Sequence, residues 1–251
     1  MSRRKIVTAM ALAAGFGLRM RPITDRIPKP LVTVGGRTML DRLLDHYAEA
    51  GVETVVVNTH YKGEMIAEHV AERRRPRILL SPEEPLLETG GGVVNALPLL
   101  GVDETLKGRP FFVANSDAIW VDGYRPALDR LTAQWDGRRM DALLLLVPTA
   151  TIWGYTGRGD YGLDPGGVAR RRREREIAPF LFAGVQLLHP RLFRDAPAGK
   201  FSLNLLYDRA EAAGRLHGIR HDGHWYHVGT PESIPEVEAA LAGRTHRLDW
   251  V

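Results

Sequence analysis

Chemistry-bearing residues crowd the start of the chain: Leu12-Ala13-Ala14-Gly15-Phe16-Gly17-Leu18-Arg19-Met20-Arg21-Pro22-Ile23-Thr24, then Pro28-Lys29-Pro30. An apolar strand that runs into a glycine loop presents backbone N–H groups able to cradle phosphate. Gly15 and Gly17 let that backbone come close to a ligand with no Cβ in the way. Arg19 and Arg21 add charge and fork-shaped donors for phosphate oxygens. The chain has 5 Lys against 29 Arg, and Lys29 stands between two prolines, so it reads as a positioned cation rather than incidental surface. Two other glycine loops do not match. A dinucleotide fingerprint needs a third glycine at position 20, which is Met20, and Gly-Lys-Ser/Thr occurs nowhere in the chain. The competing structural reading of the stretch is a tight turn followed by a proline-rich surface loop.

Downstream, Asn115-Ser116-Asp117 follows an apolar segment. A carboxylate at the C-terminal end of a parallel strand lies where open α/β sheets bind ligands, and Mg²⁺ favours one or two carboxylates plus substrate phosphates. Asp117 is thus a candidate metal ligand; its other reading is a cap on the turn after the strand. His221, His224 and His227 invite a zinc reading. Strand alternation places 221 and 227 on one face and 224 on the other, so the three are not expected to converge. Arg170 to Arg173 form a basic run, read first as a solvated edge and second as a phosphate contact. Asn58 and His60 are either polar contacts or strand-end satisfaction.

These residues need a scaffold, and the hydrophobic periods supply one. Apolar or β-branched runs at 6–14, 53–58, 77–80, 110–114, 141–147, 179–188 and 216–220 predict strands. Helices are predicted over 38–50, 62–72, 92–100, 125–135, 203–213 and 231–241; in the first, Met39, Leu40, Leu43, Leu44 and Tyr47 recur at three- and four-residue spacings before Gly51. Strands apolar on both faces, alternating with helices, predict an α/β fold: a mainly parallel mixed sheet with helices on both faces. One domain over 1–251 is expected, with no linker, internal repeat or low-complexity tract.

Composition narrows the function classes. The 251 residues are 44% hydrophobic and 25% charged, which excludes a disordered chain. There is no cysteine, so disulfides, thiolate zinc sites and cysteine nucleophiles are excluded. The net charge of +4 makes no case for nucleic-acid binding. No apolar run approaches the roughly 20 residues of a membrane span. The basic start, Met1 to Lys5, precedes an apolar run without a plausible cleavage site, so a first strand is expected there rather than a signal peptide. A soluble, cytoplasmic protein without membrane partners is the expectation; oligomeric state is not readable.

The loop, the Pro-Lys-Pro-Leu that ends at Leu31 and the following Val34-Gly35-Gly36-Arg37-Thr38-Met39-Leu40 resemble the sugar-1-phosphate nucleotidyltransferases, whose opening motif is Leu-Ala-Ala-Gly-x-Gly-x-Arg followed by Pro-Lys-Pro-Leu. Glu84-Pro85-Leu86-Leu87-Glu88-Thr89-Gly90-Gly91-Gly92 looks like Glu-Pro-Leu-Glu-Thr-Gly-Gly-Gly of the branch that uridylylates N-acetylmuramic acid 1-phosphate in cell-wall sugar salvage. Guanylyl-transferring relatives more often show Leu-Gly-Thr-Ala-Gly there.

The resemblance implies a Rossmann-like sheet of the nucleotide-diphospho-sugar transferase type, with a nucleotide-binding half over 1–148 and a sugar-phosphate-binding half over 149–251. It implies small-molecule substrates: a nucleoside triphosphate, UTP by branch, and a sugar 1-phosphate. It carries catalytic roles onto Arg19, Lys29 and Asp117, the last as metal ligand. Leu12, Ala14, Gly15, Gly17, Glu88 and Gly91 would contact the nucleotide, Gly91 edging the base through its backbone; Ala183 and Gly184 would contact the sugar. The chain departs from the family's Trp-x-Asp at Trp225-Tyr226-His227, where a second metal carboxylate is expected. Imidazole suits Mn²⁺, Co²⁺ or Zn²⁺ better than Mg²⁺. His227 therefore ligates a softer ion, contacts phosphate as a cation, or leaves the carboxylate role to Asp222. The cofactor implied is Mg²⁺, or Mn²⁺ or a softer divalent ion because of His227. Two rivals stay open: a mannose- or glucose-1-phosphate transferase using GTP or another triphosphate, and a nucleotide-sugar binding protein that has lost catalysis.

Overall fold

In the computed structural model, residues 5–152 and 155–245 are described, so Met1 to Arg4 of the basic start lie outside the described residues. Strand β1 (Thr8–Leu12) leads into the glycine loop, and a hairpin of β2 (Thr33–Val34) and β3 (Arg37–Thr38) precedes α1 (Met39–Glu49). Then follow β4 (Thr54–Thr59), α2 (Gly63–Val70), β5 (Arg77–Pro82), α3 (Glu88–Ala96), β6 (Phe111–Asn115), β7 (Ala118–Val121), α4 (Ala127–Gln134) and β8 (Ala142–Pro148). The remainder comprises β9 (Tyr161–Leu163), β10 (Ala169–Arg171), β11 (Phe180–Leu188), α5 (Asn204–Ala212), β12 (Leu216–Arg220), β13 (His224–His227) and α6 (Ser233–Thr245).

Nine strands form one mixed sheet in the order β10-β9-β11-β6-β1-β4-β5, with β8 paired to β11 and β12 to β8. β1 runs parallel to β4 and β6, and β4 to β5, while β11 is antiparallel to both β6 and β8. Side chains alternate between the two faces, and each face has its own core. Ala9, Ala11, Val55, Val57, Leu143 and Leu145 pack with Leu40, Leu43, Leu44 and Tyr47 of α1, Ile66 of α2 and Leu131 of α4. Met10, Val56, Val113, Leu144 and Leu146 pack with Val93 of α3 and Leu206 and Tyr207 of α5 on the other face. That is the doubly covered sheet the apolar strands predict.

α1 shows how local sequence sets the scaffold. Thr38 caps it, accepting from the Asp41 N–H at 3.0 Å, and its five spaced apolar residues are all fully buried. Tyr47 ends that stripe and donates its hydroxyl to the Met10 carbonyl at 2.9 Å, tying the helix to β1. No helix among the described residues is long and apolar enough to cross a membrane.

The bounds of two elements differ from the sequence reading. α3 begins at Glu88 and runs through Gly90, Gly91 and Gly92, instead of starting at Gly92. Three glycines weaken a helix intrinsically, but each is here demanded by packing: a Cβ on Gly90 would meet the Phe201 ring at 2.3 Å, and one on Gly91 the Gly199 carbonyl oxygen at 2.2 Å. The strand assumed for the histidine segment begins only at His224, as β13, so His221 lies outside it; β13 pairs antiparallel with β7, where Tyr226 lies opposite Ile119 and His227 opposite Ala118.

Candidate active site

Parallel pairing brings three strand ends together. Leu12 of β1 is in register with Asn58 of β4 and Asn115 of β6, so the loops leaving β1 and β6 open on the same edge of the sheet. Ser116 secures this edge, its N–H and hydroxyl both donating to the Leu12 carbonyl, at 3.1 and 2.7 Å.

Two cavities meet above that edge. The first, about 620 Å³, is lined by the loop from Leu12 to Met20, by Lys29 and Asn58, and by Leu86, Glu88 and Thr89 opposite. The second, about 560 Å³, is lined by Ala183 and Gly184, by the apolar side chains of Ile152, Leu181 and Phe182, and by Tyr155, Trp225 and His227. Arg19, Asn115 and Asp117 line both. Their shared wall is where groups held in the two cavities would meet.

The glycine loop is built by different means at its two glycines. Gly15 has nothing within 4 Å of where a Cβ would be, so its bare face looks into open space. Gly17 has φ +62°, and a Cβ there would sit 2.9 Å from Lys29 Cβ and 3.0 Å from Thr24 Cγ2. Its missing side chain therefore admits Lys29 and Thr24 beneath the loop, and Thr24 donates its hydroxyl to the Gly17 carbonyl at 2.9 Å. Arg19 follows in the short helix Leu18–Met20. Arg21, expected as a phosphate donor, pairs with Asp25 at 3.1 Å instead and does not line either cavity.

Lys29, only 12% exposed, donates from Nζ to Asp117 Oδ2 at 2.5 Å. Asp117 is more open, at 37%, and stands at the junction, the position a cation shared by two phosphates would take. Among the described residues no cluster of three or more His, Asp or Glu side chains is arranged for a metal ion. A single carboxylate backed by substrate phosphates is an arrangement that suits Mg²⁺, and a neighbouring imidazole one that suits Mn²⁺. Asp117 with His227 thus fits a divalent ion completed by substrate.

His227 leaves β13 toward the second cavity, its ring stacked on Trp225 at 5.8 Å. A Cβ on Gly229 would lie 2.3 Å from His227 Nε2, so that glycine makes room for the imidazole. Partial burial first, then the positive charges of Arg19 and Lys29, push the His227 pKa below its ordinary value, with Asp117 opposing. This favours the neutral imidazole while the cavities hold no phosphate. The substitution by Asp222 fails: Asp222 accepts from Arg130 Nη1 at 2.6 Å and lines neither cavity. His221 is buried, with Nε2 3.2 Å from the His224 carbonyl.

Gly184 sits where β11 slips register against β8, at φ +77°, and a Cβ there would meet Asn115 Nδ2 at 2.9 Å. Trp225 donates Nε1–H to the Ala183 carbonyl at 3.0 Å, fixing this irregular stretch as cavity wall. Gly91, expected at the base edge, is buried in α3 and its N–H is given to the Phe201 carbonyl at 3.2 Å; the exposed wall is made by Leu86, Glu88 and Thr89. Glu88 holds φ +61°, a strained conformation for a non-glycine residue at a cavity edge. The basic run points elsewhere: Arg170 pairs with Glu176, Arg171 with Asp208, and Arg172 binds the Gly159 carbonyl.

Two residues escaped the sequence reading as site components. Trp225 was visible only as part of a motif, and its hydrogen bond to Ala183 depends on tertiary pairing. Glu83 is buried behind the first cavity, whereas its neighbour Glu84 is exposed, and nothing in the sequence separates the two.

Comparison with known proteins agrees with this geometry. Residues 8–160 match the family model described as nucleotidyl transferase. The chain is 43% identical over 239 residues to the N-acetylmuramate alpha-1-phosphate uridylyltransferase of Caulobacter vibrioides, covering 93% of this chain and 96% of that one. It is 34% identical to the protein of the same name from Neisseria meningitidis, covering 94% and 98%. The fold matches a UDP-glucose pyrophosphorylase solved with UDP-glucose, with a TM-score of 0.75, 17% identity, and coverage of 95% of this chain and 99% of that one. A glycine loop at the end of a parallel strand, a Lys–Asp pair between two cavities and these similarities identify the chain as an enzyme of the sugar-1-phosphate nucleotidyltransferase family.

Proposed function

We propose that the enzyme transfers the uridylyl group of UTP to N-acetylmuramic acid 1-phosphate, releasing pyrophosphate, in cytoplasmic cell-wall sugar salvage. The observation that carries this reading is the junction of the two cavities at Arg19, Asn115 and Asp117, with Lys29 bound to Asp117. The base and sugar come from the names of the relatives that span the chain. The nucleotide occupies the first cavity, formed mostly within 1–148 with Ser202 and Gly229 added; the sugar phosphate occupies the second, formed mostly within 149–251.

A sugar phosphate has its second pKa at about 6 and is already ionised, so no general base is needed. Catalysis is then positioning plus charge neutralisation. An oxygen of the sugar phosphate attacks the α-phosphorus of the triphosphate in line; the new P–O bond forms as the bond to pyrophosphate breaks, and pyrophosphate leaves with the electron pair. The loop at Gly15 and Gly17 holds the triphosphate, and Arg19 draws charge from its outer phosphates. Lys29 turns from Asp117 to the α-phosphate and the attacking phosphate. His227 orients the sugar phosphate from the other side of the junction. Asp117, with His227 beside it, would hold Mg²⁺ or Mn²⁺, which when bound supplies neutralisation of charge on the reacting phosphates.

The test is pyrophosphate release with UTP, CTP, GTP, ATP and dTTP against N-acetylmuramic acid, N-acetylglucosamine, glucose and mannose 1-phosphates, in Mg²⁺ and in Mn²⁺. Release confined to UTP with the muramic acid phosphate is expected. Release with GTP and mannose 1-phosphate would keep the mechanism and overturn the substrate.

A further inference from the structure

Behind the first cavity lies a buried acid that the transfer chemistry does not use. Glu83 is 3% exposed, directly after β5, and both its carboxylate oxygens are engaged. Oε1 accepts from Asn58 Nδ2 at 2.6 Å, and Oε2 accepts from the Leu87 N–H at 2.8 Å. Asn58 in turn accepts the Ala13 N–H on its Oδ1 at 2.7 Å. One unbroken chain of hydrogen bonds thus runs from the phosphate loop, through Asn58 and Glu83, to the segment that walls the cavity opposite. The Glu83 backbone is held as well, its N–H donating to the Thr59 carbonyl at 2.8 Å and its carbonyl lying 2.8 Å from His60 Nδ1.

We propose that Glu83 is a positioning residue for the nucleotide, locking the phosphate loop and the 86–89 wall into one fixed separation so that triphosphate and base are gripped together. The inference rests on the reading that the first cavity takes the nucleotide. Three observations carry it. Burying a carboxylate is costly unless its acceptors are satisfied, so this one is retained only with these partners in place. The segment it holds contains Glu88 at φ +61°, a conformation that persists only where surroundings enforce it, and the Leu87 N–H adjoining it is the group Glu83 binds. Gly92 of α3 is accounted for by the same acid, because a Cβ there would sit 2.5 Å from Glu83 Oε1 and 3.0 Å from Asn58 Nδ2.

Glu83→Gln tests this with little change of shape. Its amide replaces one acceptor with a donor, which then faces the donor of Asn58 or Leu87. The KM for the nucleoside triphosphate is expected to rise roughly tenfold or more, with the preference for the best base over the other four weakened. The KM for the sugar 1-phosphate should stay within about twofold of wild type. Gly92→Ala, which displaces the carboxylate without removing it, should give the same one-sided change in smaller degree and decides the matter if Glu83→Gln does not fold. Equal effects on both substrates, or unchanged nucleotide KM and base preference in a folded variant, would overturn the proposal. A wild-type preference for a base other than uracil would instead overturn the uridylyl reading, and the Glu83 comparison would be made with that nucleotide.

Discussion

Lys29 and Asp117, 88 residues apart in the chain, join Nζ to Oδ2 at 2.5 Å where the two cavities meet. The lysine is nearly buried and the aspartate half-open, so the pair presents its carboxylate to the junction and keeps its cation beneath the glycine loop. Gly17 makes this possible, since any side chain there would occupy the space of Lys29 Cβ.

Lys29→Ala should therefore be a catalytic lesion with little effect on stability. Loss of one charged donor at a transition state typically costs about 10²- to 10³-fold in turnover. The expected result is that fall in kcat with a melting temperature close to wild type; unchanged turnover would remove Lys29 from the mechanism.

The two loop glycines should separate function from folding. Gly15→Ala adds a methyl to open space and should melt like wild type while weakening nucleotide use. Gly17→Ala forces a positive φ and a clash with Lys29 and Thr24, a destabilisation of roughly 1–3 kcal/mol. Thermal melts alongside triphosphate KM values distinguish them.

Metal preference should follow His227. Chelation with EDTA is expected to abolish turnover. His227→Asp, which restores a hard oxygen ligand, should lower the ratio of Mn²⁺- to Mg²⁺-supported activity relative to wild type. An unchanged ratio would separate His227 from the ion.

Stability should fall on mild acidification. His189 Nδ1 accepts the Arg191 N–H at 3.1 Å, and burial first, then the Arg191 charge, lowers its pKa to about 4. Above about pH 6.5 the ring is neutral in folded and unfolded chains alike. Below that the unfolded chain takes up a proton that the folded one refuses until about 4, so stability is lost across this window. His217 and His221, also lowered by burial, act with the same sign. Denaturant titrations at pH 7.5 and 5 should show the loss, and His189→Asn should lessen it.

The layers and the candidate phosphate site were both legible in the sequence. Apolar strands alternating with amphipathic helices allow little besides a doubly covered sheet, because a strand apolar on both faces must be covered on both. Gly15, Gly17, Arg19, Lys29 and Asp117 were legible because phosphate chemistry needs bare backbone, cations and a carboxylate, and local order displays those types. Which distant partners the acids and glycines near that site meet is visible only in the folded chain. Asp222 is held by Arg130 and Gly91 by the 199–201 backbone, while Glu83 is buried against Asn58. Those outcomes depend on partners more than twenty residues away, and local spacing carries no record of which distant atom will fill a given space.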